Sequence, residues 1–285
     1  MAFAIAVLAV PGEVSAQGAS GPVWCHDAGR DLVRRTAPAD CTGKVVDDAG
    51  AARIKAERIE RVRRRLQGRV PPVAGQRRRG SGTGFFVSAD GHLITNNHVV
   101  DGCAAISVAP AGEDESKAEL LAADAGHDLA LLKIAARPDG VAAFRDPATL
   151  HQGEDIAVVG YPLHGLVTIK PILVTGQVYI GTSPPRADMF AMSIDIRRGN
   201  SGGPVLDRSG RIVGVVVAKV NTPGVFAATG QLVRDLGYAI RLPVTTDFLC
   251  RHGVAPTPDP SFTDLDDEAL FARARAFVAR IGCWK

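Results

Sequence analysis

Between Gly80 and Cys250 the chain is cut into short runs rich in Val, Ile, Leu and Ala, separated by Gly, Pro, Asn and Asp. They read GTGFFVS, GHLIT, AAISVAP, LALLKIA, DIAVVGYP, ILVTGQVYIG, MSIDI, IVGVVVAKV and LGYAIRL. Runs of this length and composition suit the strands of a sandwich or barrel. No long helical pattern interrupts them, which disfavours a parallel α/β sheet and makes the class all-β. The segment NNHVVDGC, between LIT and AAISV, has room for about one helical turn. Aromatic residues make up only 5% of the 285, so the core must be built mainly from small aliphatic side chains.

The flanks have a different texture. Residues 1–16 contain the apolar run Ala2–Val10 followed by Val14-Ser15-Ala16, the pattern of a signal peptide cleaved after Ala16, although no basic residue precedes the run. The run is too short to span a bilayer. Export to the periplasm or outside the cell follows as an expectation, and five cysteines fit an oxidising compartment. Cys25 and Cys41, close together in a polar stretch, are expected to bridge; Cys103, Cys250 and Cys283 compete for one further bond. There is no CxxC, HExxH or cysteine–histidine cluster, so neither a metal nor a cofactor is expected.

Residues 17–79 form an N-terminal extension. Within it GAARIKAERIERVRRRLQGR is helical in pattern, with Ile59, Val62 and Leu66 on one face and arginines around the rest. It ends at the linker-like RVPPVAGQRRRG, whose arginines read as a solvated segment or a processing site. The basic content from Arg53 to Arg79 suits an anionic membrane or a nucleic acid, but a solvated helix packing one thin stripe on its neighbour is the favoured reading. With no interleaved aromatics and a net charge of only +3, no nucleic-acid partner is expected. Residues 251–285 form a C-terminal tail: TDLDDEALFARARA reads as a helix with acidic residues in its first turn, and FVARIGCW sets Phe277, Ala279, Ile281 and Cys283 on one face of a strand. The tail is too short for a typical second folded module.

Three residues carry chemistry. His98 lies in LITNNHVV where a strand breaks, Asp128 in GHDLALLKI just before an apolar strand, and Ser201 in the glycine-rich IRRGNSGGPV. A serine hydroxyl is a weak nucleophile until a base removes its proton, and histidine is the natural base near neutral pH, with a carboxylate to hold its tautomer. Each residue alone is ordinary turn or strand-end chemistry.

Together with GSGTGFFVSADGHLITNNHVV, VVGYP and LGYAI, these motifs resemble the trypsin-like (chymotrypsin-fold) serine peptidases, and in particular the bacterial HtrA/Deg-like branch, over residues 80–250. The order His, Asp, Ser is that of chymotrypsin. The resemblance implies two perpendicular six-stranded β-barrels with the site in the cleft between them. It also implies His98 as general base and acid, Asp128 as its orienting carboxylate and Ser201 as nucleophile, with the amides of Gly199 and Ser201 as oxyanion hole. The strand GVVVA is expected to pair with an extended peptide through Gly214, Val215 and Val216. Asp195, six residues before Ser201, stands where trypsin-like enzymes with basic specificity carry a pocket-base aspartate, but Arg197 and Arg198 are close enough to neutralise it, and HtrA/Deg relatives tend to prefer small aliphatic residues. Asn200 replaces the aspartate used for activation by N-terminal insertion, so that activation is not expected. No room is left for the PDZ domain usual in the branch. A bond between Cys103 and Cys283 would tie the tail beside His98. The function these features imply is an exported serine endopeptidase cleaving extended or unfolded protein segments through an acyl-enzyme. The alternative is a catalytically quiet, chaperone-like or peptide-binding protein on the same fold.

Overall fold

The computed structural model describes residues 21–27, 32–67, 75–162, 170–179, 184, 186–219 and 235–285, with the backbone alone at 60–67 and 218–219. The proposed signal peptide and residues 69–74 of the linker lie outside this set. The chain divides into two compact units, Met1–Arg69 and Val70–Lys285.

In the first unit, strands β1 (Val23–Asp27), β2 (Leu32–Thr36) and β3 (Lys44–Val46) form an antiparallel sheet in the order β2-β1-β3. Helix α1 (Asp48–Gln67) follows, and the carboxylate of Asp47 accepts from the amide of Gly50 at 2.7 Å, capping its first turn. So small a sheet needs a staple, and the disulfide Cys25–Cys41 supplies one. Trp24 adds a second tie: its indole donates to Asp48 at 2.6 Å, while Lys55 Nζ sits 3.6 Å from its ring centre. Ile59, read as part of an apolar face, is 67% exposed; the side chains of Val62 and Leu66 lie outside the described residues.

The second unit contains strands β4 (Arg78–Phe86), β5 (His92–Thr95), β6 (Ala105–Pro110), β7 (Ser116–Asp124), β8 (Leu129–Lys133) and β9 (Ala143–Arg145). Then come β10 (Asp155–Gly160), β11 (Ile172–Tyr179), β12 (Met189–Ser193), β13 (Pro204–Leu206), β14 (Ile212–Lys219), β15 (Leu236–Arg241), β16 (Thr257–Asp259) and β17 (Val278–Trp284). The helices are α2 (Asn97–Val100), α3 (Leu242–Arg251) and α4 (Asp267–Arg275).

These strands close into two six-stranded barrels. The first runs β17-β4-β5-β8-β7-β6. The second runs β13-β10-β11-β12-β15-β14 and is closed by pairing of β13 with β14, with β9 and β16 added in parallel along β14. The all-β class expected from the short apolar runs, and the two barrels that the resemblance implies, are therefore present. Strand β10 explains why DIAVVG has no polar alternation: Ile156 and Val158 enter the core of the second barrel, while Ala157 and Val159 join the larger core that includes Phe85 and Leu131 of the first.

The tail is integral to this architecture. β17 pairs with β4 on one side and β6 on the other, all seven of its residues are buried, and it is the sixth strand of the first barrel. Beyond it, Arg77 and Lys285 exchange backbone hydrogen bonds of 2.8 and 3.0 Å. The QRRRG segment thus runs into a paired strand at Arg77 rather than remaining a solvated linker. The helix read in TDLDDEALFARARA is α4, capped by Asp266, whose carboxylate accepts from Ala269 N at 2.8 Å. Strands β7, β9, β13 and β16 were not legible in the sequence. β7 (SKAELLAAD) is rich in Ala, Lys and Glu, which strands disfavour, and it leaves Leu120 and Leu121 partly exposed. MSIDI is shifted: the strand is MFAMS, and Ile194–Ile196 turns away from the sheet, with Ile196 N donating to Ile194 O.

Candidate active site

His98 sits on α2, the single helical turn that follows β5. Asp128 lies on the hairpin joining β7 to β8 and grips the histidine twice: His98 N donates to Oδ1 at 2.9 Å, and the ring Nδ1 meets Oδ2 at 2.7 Å. A carboxylate can only accept, so Nδ1 carries the proton and Nε2 of the neutral ring keeps its lone pair. The carboxylate is 15% exposed and the imidazole 50%, which shields the pair while leaving the outer ring edge open. Asp128 has φ 59°, in the left-handed region that aspartate tolerates better than most side chains. Asn96 Nδ2 donates to Asp128 O at 2.9 Å and fixes this backbone from the helix side. At the other end of the hairpin Asp124 accepts from both the amide and ring of His127, at 3.0 and 2.8 Å. Burial alone would raise the Asp124 pKa, but these hydrogen bonds and the nearby charges of His127 and Arg251 hold it below the ordinary carboxylate value.

Ser201 lies at the junction of two tight turns. Asn200 N donates to Arg197 O at 3.0 Å with Gly199 at φ 96°, and Gly203 N donates to Asn200 O at 2.9 Å with Gly202 at φ 81°. A positive φ at the third residue is what a type II turn requires, so RRGN and NSGG form successive turns of that kind. The amides of Asn200, Gly202 and Gly203 are all engaged, to Arg197 O, Val216 O and Asn200 O. Those of Gly199 and Ser201 donate to no described protein group. Gly202 is also demanded by space, since a Cβ there would lie 2.3 Å from both Thr83 O and Thr95 Oγ1.

The two halves meet through Thr83 in β4. Thr83 N donates to Ser201 O at 2.9 Å, its hydroxyl donates to Gly199 O at 2.6 Å, and the same oxygen accepts from Tyr161 N at 2.9 Å. A Cβ on neighbouring Gly82 would touch Val99 at 2.7 Å and Ser201 O at 3.1 Å, so the serine loop lies directly against α2. The Ser201 hydroxyl donates to Val217 O at 2.9 Å.

This geometry bears on two of the expected substrate-binding positions. Gly214, Val215 and Val216 are not an open edge. Gly214 and Val215 pair with β13 on one side and β15 on the other, while Val216 pairs with Ala239 and exchanges hydrogen bonds with Gly202 and Gly203. Pairing with β13 stops at Pro204↔Val215, so the edge opens at Val217, where a bulge also interrupts the β15 pairing. Asp195 is not an uncompensated carboxylate, because Arg197 holds it through Nε at 2.7 Å and Nη2 at 2.6 Å. Cys103, just past α2, is bonded to Cys283 of β17, and Cys250 is an exposed free thiol. Among the described residues no three His, Cys, Asp or Glu side chains cluster to hold a metal.

Thr83, Asn96 and Val217 were missed by sequence reasoning. Thr83 left a trace, as a polar residue in an otherwise small and apolar strand segment. Asn96 reads as a helix cap yet makes no side-chain cap bond, serving Asp128 instead. Val217 acts through its carbonyl, which no side-chain pattern records.

Residues 82–215 match the family described as trypsin-like peptidase domain. A probable periplasmic serine endoprotease, DegP-like, of Rhizobium meliloti is 35% identical over 180 residues, covering 60% of this chain and 34% of its own. An uncharacterized protein, y4bJ, of Sinorhizobium fredii is 34% identical over 204 residues, covering 71% of this chain and 32% of its own. The chain thus spans about a third of the length of the curated relatives it matches. Among solved structures, the HtrA-type protease AlgW with decapeptide superposes with a TM-score of 0.51 and 24% identity, over 60% of this chain and 51% of its own. Residues 82–215 thus match the trypsin-like peptidase domain family, the chain has DegP-like relatives, and its two closed barrels share the fold of the HtrA-type structure.

Proposed function

We propose that the protein is a serine endopeptidase acting through Ser201, His98 and Asp128. The observation that carries this reading is the doubly held His98, whose Nε2 meets no described partner, beside a serine loop in which the amides of Gly199 and Ser201 donate to no described group. In the first step the Ser201 hydroxyl turns from Val217 O towards His98 Nε2, which takes its proton as Oγ attacks the scissile carbonyl carbon. The carbonyl oxygen becomes an oxyanion held by the amides of Gly199 and Ser201, each such donor contributing on the order of 3 kcal/mol in the transition state. Asp128 stabilises the imidazolium, which then protonates the leaving amine as the C–N bond breaks. Water, deprotonated by the same imidazole, releases the acyl group and restores Ser201.

The substrate is an extended segment of protein backbone, hydrogen-bonded along the edge that opens at Val217. Such pairing needs exposed main chain, which unfolded or extended segments provide. The Arg197–Asp195 pair argues against basic residues at the cleavage position and leaves small apolar side chains as the preferred class. Export to the periplasm is supported by the two disulfides and by the periplasmic description of the Rhizobium meliloti relative.

The test is incubation of the purified protein with casein, an extended substrate. Fragments that appear with the wild type and not with Ser201→Ala are expected. The Ser201–Val217 hydrogen bond favours one rival, a quiet binding protein, and binding of casein without cleavage would establish it instead.

A further inference from the structure

The hairpin that presents Asp128 is short of its own restraints. β7 and β8 pair as far as Asp124↔Leu129, leaving four residues, Ala125–Asp128, to reverse the chain and place Asp128 in a left-handed conformation. Left-handed backbone is costly for an L-residue and persists only where the surroundings fix it. Asn96 fixes the Asp128 carbonyl. The two preceding carbonyls are taken by a residue of the other barrel.

That residue is Arg186, just before β12. Its Nη1 donates to Gly126 O at 2.6 Å and its Nη2 to His127 O at 3.3 Å. The guanidinium is itself held in place by Asp188, through Nε to Oδ1 at 3.0 Å and Nη2 to Oδ2 at 2.9 Å. Asp188 is anchored in turn, its carbonyl accepting from Arg241 N at 2.8 Å, while Arg241 Nε donates to Met189 O at 2.9 Å. A chain of hydrogen bonds, charge-assisted at Arg186 and Arg241, therefore runs from the end of β15 to the turn carrying Asp128.

We infer that Arg186 is a positioning residue: it locks the Asp124–Asp128 turn from the second barrel so that Asp128 stays in register with His98. This rests on the proposed role of the His98–Asp128 pair. Arg186 reaches only backbone oxygens and Asp188 among the described residues, and it touches neither Ser201 nor His98. Its effect reaches the chemistry through the geometry of a loop. Lysine could keep one of the two carbonyl contacts, whereas alanine keeps neither.

The experiment compares wild type, Arg186→Ala and Arg186→Lys in casein hydrolysis, thermal melting and proton NMR. The His98 Nδ1 proton, held by Asp128, is the downfield imidazole signal that disappears in His98→Ala, and it reports the pair whether or not the protein cleaves anything. For Arg186→Ala we expect kcat to fall on the order of 100-fold with KM within about two-fold, as small misplacements of catalytic groups do. The downfield signal should be lost, the melting temperature should shift little, and free guanidinium should recover part of the rate. Arg186→Lys should keep the signal and most of the rate. An unchanged signal and rate in Arg186→Ala, or a rate loss matched by lost folding and not rescued by lysine, overturns the inference. A wild type that has the NMR signal and no hydrolysis contradicts the peptidase reading alone, and the signal in Arg186→Ala still decides the role of Arg186.

Discussion

The two barrels reach the same closed form by opposite routes. The second is sealed within itself, β13 pairing with both β10 and β14 in a stretch that also carries Ser201. The first is sealed by β17, separated from β4 by almost the entire unit, and stapled there by Cys103–Cys283 across a sequence separation of 180. His98 and Asp128 therefore stand on a barrel closed by a strand far from them in the sequence. Ser201 stands on a loop whose shape is written locally, in glycines. Damage to the first barrel should act through closure, and damage at the serine should act through backbone conformation.

The largest effect is expected from striking the closure itself. Ile281 is fully buried in β17, and Ile281→Asp would place an unpaired charge in the core. That should abolish the cooperative thermal transition of the second unit, measured by near-ultraviolet circular dichroism. A retained transition would mean that β17 is dispensable. Next is Cys103→Ser with Cys283→Ser. Releasing a loop of this length costs up to about 5 kcal/mol by chain entropy, and a fall in the denaturant midpoint should expose it.

A smaller and more local change is expected from the other barrel. Gly202→Ala meets Thr83 O and Thr95 Oγ1 at 2.3 Å at a φ of 81°, and should cost roughly 3 kcal/mol and remove activity. Gly253 offers the control, with φ 75° and nothing within 4 Å of the position a methyl would take, so alanine there should cost only about 1 kcal/mol and spare activity. Equal losses at the two positions would erase the distinction between a strained turn and a shaped site.

The smallest effect is a pH dependence seated in the first barrel. Burial, with the Lys133 ammonium beside it, pushes the His92 pKa below its ordinary 6.5. The unfolded chain then binds the proton more readily than the folded one, so stability is full above pH 6.5 and declines as pH falls towards the lower folded value. His92→Gln should flatten that decline in denaturant titrations between neutral and mildly acidic pH.

These differences track how much the sequence could reveal. Turn chemistry and side-chain identity are written locally, so RGNSGG, the apolar strand runs of both barrels other than β7 and β13, and the α4 helix could be read directly. Closure of the first barrel could not, because nothing in VARIGCW names β4 and β6 as its partners. The open edge is hidden for a related reason: GVVVA looks like one uniform strand, and only the pairing of Gly214 and Val215 on both sides shows that the edge opens at Val217. Backbone acceptors such as Gly126 O and Val217 O leave no residue-type signal at all, and they are where Arg186 and Ser201 bind.

The central claim is that His98 and Asp128 activate Ser201, and its most direct test is reaction with a fluorophosphonate followed by mass-spectrometric mapping of the adduct. The account predicts a single modified residue, Ser201, with labelling absent in Ser201→Ala and strongly slowed in His98→Ala and Asp128→Ala. A correctly folded wild type that takes no label, or that is labelled equally fast without His98, would contradict it.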